Sequence, residues 1–161
     1  EYVAAARHLK KRYPQVSFKL LGAYDSNPAA IGSNEVEGWV KEGIIQYLGE
    51  AKDVRPHLAD SSVYVLPSYR EGTPRSVLEA MSTGRPVITT DAPGCRETVQ
   101  EGVNGFLVPV KDVVGLGRAM EKFILHPGII DDFGTASRKI AVEKYDVHKV
   151  NKVIIEAMGL L

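Results

Sequence analysis

An α/β fold is predicted, with a parallel sheet covered by helices on both faces. Three observations predict it. Five short runs rich in β-branched residues recur along the chain: VSFKLLG (16–22), IIQYLG (44–49), VYVLPS (63–68), PVITT (86–90) and GFLVP (105–109). Each is almost continuously apolar and not alternating, as in strands that helices cover on both sides. Segments of helical character separate the runs, and strand alternating with helix at this spacing is the pattern of a doubly wound domain.

The elements justify themselves in order. The chain opens inside a helical pattern, EYVAAARHLKKR (1–12), with no Met and no strand before it. It therefore reads as a piece excised from a longer protein, its first strand missing. Further helices are expected over 33–42, 54–60, 74–83 and 95–101. For the third of these, Thr73 suits the cap, Pro74 the first helical position, and Gly84 with Pro86 the stop. Past Pro109 the pattern becomes wholly helical. Val113, Leu116, Met120, Phe123 and Ile124 form one stripe over 112–126, Pro127 and Gly128 break it, and a second helix is expected over 129–144. A last helix over 148–158 carries Val150, Val153, Ile154 and Ala157 on one side. Two units follow: a domain over 1–145, and a terminal helical segment over 146–161 suited to docking on a domain that the sequence does not contain.

Bulk numbers narrow the function classes. The 161 residues are 44% apolar and 25% charged, an ordinary globular composition. Twenty Lys and Arg balance twenty Asp and Glu, so no basic field draws in nucleic acid, which is not an expected partner. The single cysteine, Cys95, excludes an internal disulfide and fits a reducing cytosol. No base is recognisable beside it, and it reads as a small loop residue. His8, His57, His126 and His148 are scattered, without metal-ligand spacing, and no bound metal or cofactor is expected. Neither a membrane-spanning run nor a signal peptide is visible, so a cytoplasmic location is expected, with any attachment to the inner membrane face made through the absent domain.

In open parallel sheets ligands bind beyond the carboxyl ends of the strands. Those ends run into GAYDSNP, GEAKD, SYREGTP and DAPGC, all rich in turn residues. The helix starting near Thr73 aims the free amides of Thr73, Arg75 and Ser76 at that edge, and a helix start there is an anion site. Every helix has such a start, so a plain strand-to-helix turn explains it as well. Glu71 precedes the helix and Glu79 lies eight positions later within it. Carboxylates repel phosphate but accept hydrogen bonds from sugar hydroxyls. A nucleotide sugar carries hydroxyls on both sides of its diphosphate, and the arrangement fits one. A loop charge and a solvated helix residue would be the plainer account of the same two glutamates.

The run PSYREGTPRSVLEAMSTGRPVITTDAPG, followed by VNGFLVP, strongly resembles the donor domain of glycosyltransferase family four. The signature is a Glu, seven residues, a second Glu, then Ala and a small-residue turn into Pro-Val; here it is Glu71, Glu79, Ala80, Gly84, Pro86 and Val87. The likeness covers about 16–109. It implies a Rossmann-like domain, the C-terminal half of a two-domain GT-B enzyme, in which Glu71 contacts the transferred sugar as the catalytic-site glutamate. The backbone at Gly72, Thr73 and Pro74 would touch sugar and phosphate, with Ser76 in the same turn. Glu79 would hold the ribose, and Gly22 and the 49–54 segment ending at Val54 would wall the base pocket. Arg75 could reach a phosphate, although an arginine there also serves as a solvent-facing charge.

The resemblance further implies retaining, metal-independent transfer from a nucleotide sugar to a glycan or lipid-linked acceptor, with UDP-hexose or UDP-N-acetylhexosamine as the expected donor. Two things the family carries are absent: the Arg and Lys that neutralise the diphosphate, and the acceptor-binding domain. A helix start contributes roughly 0.3–2 kcal/mol to a bound anion. Catalysis needs at least about 8 kcal/mol of barrier lowering. This piece alone is expected to bind a donor without turning it over. A GT-B sugar-nucleotide epimerase and a non-catalytic nucleotide-binding module remain open alternatives. A dinucleotide-dependent oxidoreductase is disfavoured, since no Gly-x-Gly-x-x-Gly follows a strand.

Overall fold

The computed structural model describes residues 1–25, 27 and 30–159. Positions 26, 28 and 29 of the loop after Gly22, and the last two residues of the expected 146–161 segment, lie outside the described residues.

The order is α1 (Tyr2–Arg12), β1 (Lys19–Leu20), α2 (Ser33–Lys41), β2 (Gln46–Tyr47), α3 (Arg55–Ala59), β3 (Tyr64–Leu66), α4 (Arg75–Ser82), β4 (Val87–Thr90), β5 (Gly105–Val108), α5 (Val113–Leu125), α6 (Ile129–Lys144) and α7 (Val147–Ala157). Every strand pairing is parallel, as the continuous apolar runs predict. The expected single sheet is instead two, β1–β2 and β3–β4–β5, because β1 and β3 do not pair and no described strand lies between them. The strands keep only 2 to 4 residues of each run, and the rest of each run is irregular backbone.

β4 is the centre. All four of its residues are buried, and its alternation sends Val87 into one apolar cluster and Ile88 into another. On the Ile88 side lie α1 and α5, packed on each other, with Phe106, Phe123 and Phe133 in mutual contact at centroid distances of 5.3–5.5 Å. Ala5, Ala6 and Leu9 of α1 form its buried face, and the small alanines let the helices approach closely. On the Val87 side, Val77 and Met81 of α4 meet Ala141 of α6. The two buried threonines of β4 are satisfied: Thr89 donates to the Leu66 carbonyl at 2.8 Å, and Thr90 donates to the Ser68 carbonyl. Through that last bond the end of β3 is tied to the end of β4.

Three expectations change. The helix over 95–101 shrinks to a single 3-10 turn, Arg96–Thr98, because Val99 is already extended and the chain must turn back into β5. The buried Asn104 side chain sets that turn, accepting from the Gln100 amide at 2.7 Å and donating to the Thr98 carbonyl at 3.1 Å. Cys95 is fully buried against this turn. Pro74, not Thr73, is the N-cap of α4, and Arg75 is the first helical residue. The reason is local: Pro74 is extended at φ −68 and ψ 114, and its carbonyl already accepts the Val77 and Leu78 amides. α7 begins at Val147, one residue early, because Asp146 caps it by accepting the His148 amide at 2.8 Å.

Candidate functional site

The loops after the strand ends carry two groups of the expected residues. The first joins Gly22 to the 49–54 segment. The Gly22 amide donates to the Gly49 carbonyl at 2.9 Å, and the Tyr47 hydroxyl donates to the Gly22 carbonyl at 2.7 Å. Tyr24 and Tyr47 stack at a tilt with 5.1 Å between centroids. They border a recess of about 310 Å³ shared with Val36, Glu37, Val40 and Lys41 of α2. Val54 caps α3, its carbonyl accepting the Leu58 amide at 3.0 Å. Beside it Asp53 accepts from the Arg55 guanidinium and amide at 2.8–3.0 Å. Those bonds hold the Asp53 carboxyl down to about 2, well below the usual carboxylate range.

The second group is built around the start of α4. The first amides of a helix have no partner four residues back. In α4 these belong to Arg75 and Ser76, and the Glu71–Thr73 backbone leads directly into them. Glu71 is exposed and anchored, its Oε1 accepting the Ser68 hydroxyl at 2.7 Å. Its own amide donates to the Pro93 carbonyl at 3.2 Å, so the loop after β4 braces the loop after β3. Glu79 is partly buried and sits one turn into α4, where its Oε1 accepts Arg75 Nε at 3.1 Å. Arg75 itself is 92% exposed and faces solvent as an ordinary surface pair.

Tyr64, at the head of β3, is the residue that sequence reasoning missed. Burial pushes its phenol pKa up, a hydrogen bond with the Ser76 hydroxyl pulls it back, and the charges of Glu79 and Glu71 push it up again. Nothing in the apolar run around Tyr64 distinguishes its ring from a core residue. Nearby, Tyr69 donates to Glu1 at 2.6 Å and lies 5.2 Å under the Lys111 ammonium. Chemically, the group offers amides to an anion and carboxylates to hydroxyl donors. Among the described residues, no cluster of three His, Cys, Asp or Glu side chains is placed to hold a metal ion. Nor is any helix there long and apolar enough to cross a membrane.

Residues 2–126 match the family described as Glycosyl transferases group 1. A Campylobacter jejuni N,N'-diacetylbacillosaminyl-diphospho-undecaprenol alpha-1,3-N-acetylgalactosaminyltransferase is 32% identical over 116 residues, which is 72% of this chain and 29% of that protein. The Staphylococcus aureus capsular polysaccharide biosynthesis glycosyltransferase CapM is 30% identical over 140 residues, covering 80% of this chain and 37% of its own length. Among solved structures, Anabaena Alr3699/HepE in complex with UDP superposes with a TM-score of 0.86 at 26% identity, over 98% of this chain and 44% of that one. The chain thus spans less than half the length of these relatives.

Proposed function

This chain belongs to the glycosyl transferases group 1 family, and from that premise we propose that it is the donor-binding half of a retaining glycosyltransferase of polysaccharide synthesis. The donor is a UDP-linked hexose or N-acetylhexosamine, and the acceptor a glycan or a lipid-linked sugar. One observation carries the reading: Glu71 precedes and Glu79 follows the start of α4, whose Arg75 and Ser76 amides have no partner within the helix. The UDP in the HepE complex and the sugar-transfer names of the relatives support it.

Each residue then has a physical task. The Arg75 and Ser76 amides hold the diphosphate, with the dipole of α4 behind them. Glu79 takes the ribose hydroxyls, and Glu71, fixed by Ser68, takes hydroxyls of the sugar and orients it. The Gly22–Gly49 pair and Val54 wall the base. The departing diphosphate is stabilised by fixed dipoles and cations without a metal. Among the described residues Arg75 is already paired with Glu79, while Arg70 precedes Glu71 in the same loop and Lys111 lies over the Tyr69 ring. The remaining cations and the acceptor site come from the rest of the protein, at the cytoplasmic side.

α7 fits that division. None of its residues is buried, and Val147, Val150, Val153 and Ile154 are exposed on it. We assign it to the acceptor-binding domain as a docking helix. The unpaired edges of β1 and β3 similarly suit one further parallel strand that would join the two sheets.

The test is calorimetric titration of the 161-residue chain with UMP, UDP and UDP-sugars. Glu79→Ala should lower nucleotide affinity by about tenfold or more, the weight of a hydrogen bond to a charged group. Unchanged UMP affinity in that variant would remove the ribose assignment.

A further inference from the structure

Gly94 closes the loop after β4 with φ +84, a left-handed conformation that residues with a Cβ rarely adopt. Its missing side chain matters more than its freedom. A Cβ built there would fall onto the carbonyl oxygens of Gly72 and Glu71 and lie 2.6 Å from the Glu71 carbonyl carbon. All three atoms are backbone, so no side chain can swing aside. The neighbouring Pro93 carbonyl meanwhile accepts the Glu71 amide at 3.2 Å. The Glu71–Gly72 peptide therefore rests on the bare face of residue 94, held by one hydrogen bond and one close approach from a segment 22 positions later. Glu79 stands instead on α4, whose far end is seated separately, with the Gly84 carbonyl against Gly134.

We infer that Gly94 is the positioning residue for the sugar end of the donor site: it sets the height of the Glu71–Gly72 peptide over the sheet edge without touching the ligand. The inference rests on the donor-site reading above. Any side chain at 94 lifts that peptide, moving the Glu71 carboxylate away from a sugar that Glu79 and the nucleotide still locate. The nucleotide half of the site keeps its geometry, and the sugar half loses it.

The experiment compares two affinities in each variant of the chain, for UMP and for UDP-N-acetylglucosamine, together with the melting temperature. Gly94→Ala should weaken the sugar nucleotide about tenfold relative to UMP, a misplacement near an ångström being enough for that. Gly134→Ala is the packing control: its Cβ would meet the Gly84 carbonyl at the other end of α4. It should lower the melting temperature and leave the affinity ratio unchanged. If Gly94→Ala does not fold, Pro93→Gly decides, since it loosens the same brace without adding an atom and should shift the ratio about twofold to threefold in the same direction. An unchanged ratio in folded Gly94→Ala, or in Pro93→Gly where the former does not fold, overturns the inference while leaving the donor site standing. Failure of the unsubstituted chain to bind UMP overturns the donor site itself.

Discussion

Glu71 and Glu79 sit eight positions apart and rest on different supports. Glu71 hangs from loop backbone and a serine hydroxyl, whereas Glu79 stands on a helix whose neighbours Val77, Ala80 and Met81 are wholly buried. Glu71→Gln keeps the side chain's size and can still meet Ser68, but it removes the charge. We expect sugar-nucleotide affinity to fall by about fivefold or more while UMP affinity holds, since hydrogen bonds to a charged acceptor exceed neutral ones. Equal losses for both ligands would place Glu71 at the phosphate. At this scale the sequence was a partial guide. The spacing of the two glutamates and their place at the strand edge were legible, because both follow from the local order of strand, turn and helix. The bond from Ser68 to Glu71 was not, because it depends on which way side chains leave irregular backbone. Arg75 faces solvent, as a surface charge at that place suggests, although its pairing with Glu79 was not legible.

Among the elements, those with strong local signals read correctly. Apolar runs marked the five strands, stripes marked α5 and α7, a helical pattern marked α1, and α6 was expected after the break at Pro127 and Gly128. The errors fell where a neighbouring group, and not the residue type itself, decides. The segment after Cys95 has helical residues, yet Asn104 captures its backbone and stops it at one 3-10 turn. Thr73 is a good cap by type, but Pro74 reached the extended conformation first. Caps elsewhere are testable. Asp112 accepts the Gly115 amide at 2.8 Å, opening α5, which supplies Leu116, Met120 and Phe123 to the core. Asp112→Ala should cost about 1 kcal/mol and lower the melting temperature by roughly 2–4 °C. Calorimetric melting checks this, and a shift below the error of the scan would show that packing alone holds that helix start.

The molecule as a whole is two apolar layers separated by β4. Its pH response belongs to this scale. Tyr2 lies between α1 and β1 and donates to the Lys19 carbonyl at 3.1 Å; burial raises its phenol from 10.0 to about 12. Between those values the unfolded chain releases a proton that the folded one keeps. Stability should thus be fully present below pH 10 and fall as pH rises towards 12, by about 2 kcal/mol from this group. The half-buried Tyr64 shifts in the same direction and adds to the fall. Urea unfolding at pH 8 and pH 11 tests the idea, and Tyr2→Phe should flatten the difference; an equally steep loss in that variant would assign it to other groups.

One arrangement bears on how such a site can change over time. α4 is wedged at both extremities by bare backbone: Gly94 lies under the peptide leading into it, and Gly134 lies against the carbonyl at its exit. The two contacts hold different things, the first the loop that enters the helix and the second the helix itself, so on the proposed donor-site reading each half of the site has its own stop. Ligand choice can then drift only through what decorates the approach, chiefly positions 70, 73 and 75, all exposed. Where the diphosphate lands would be inherited, and which sugar follows it would be open to selection.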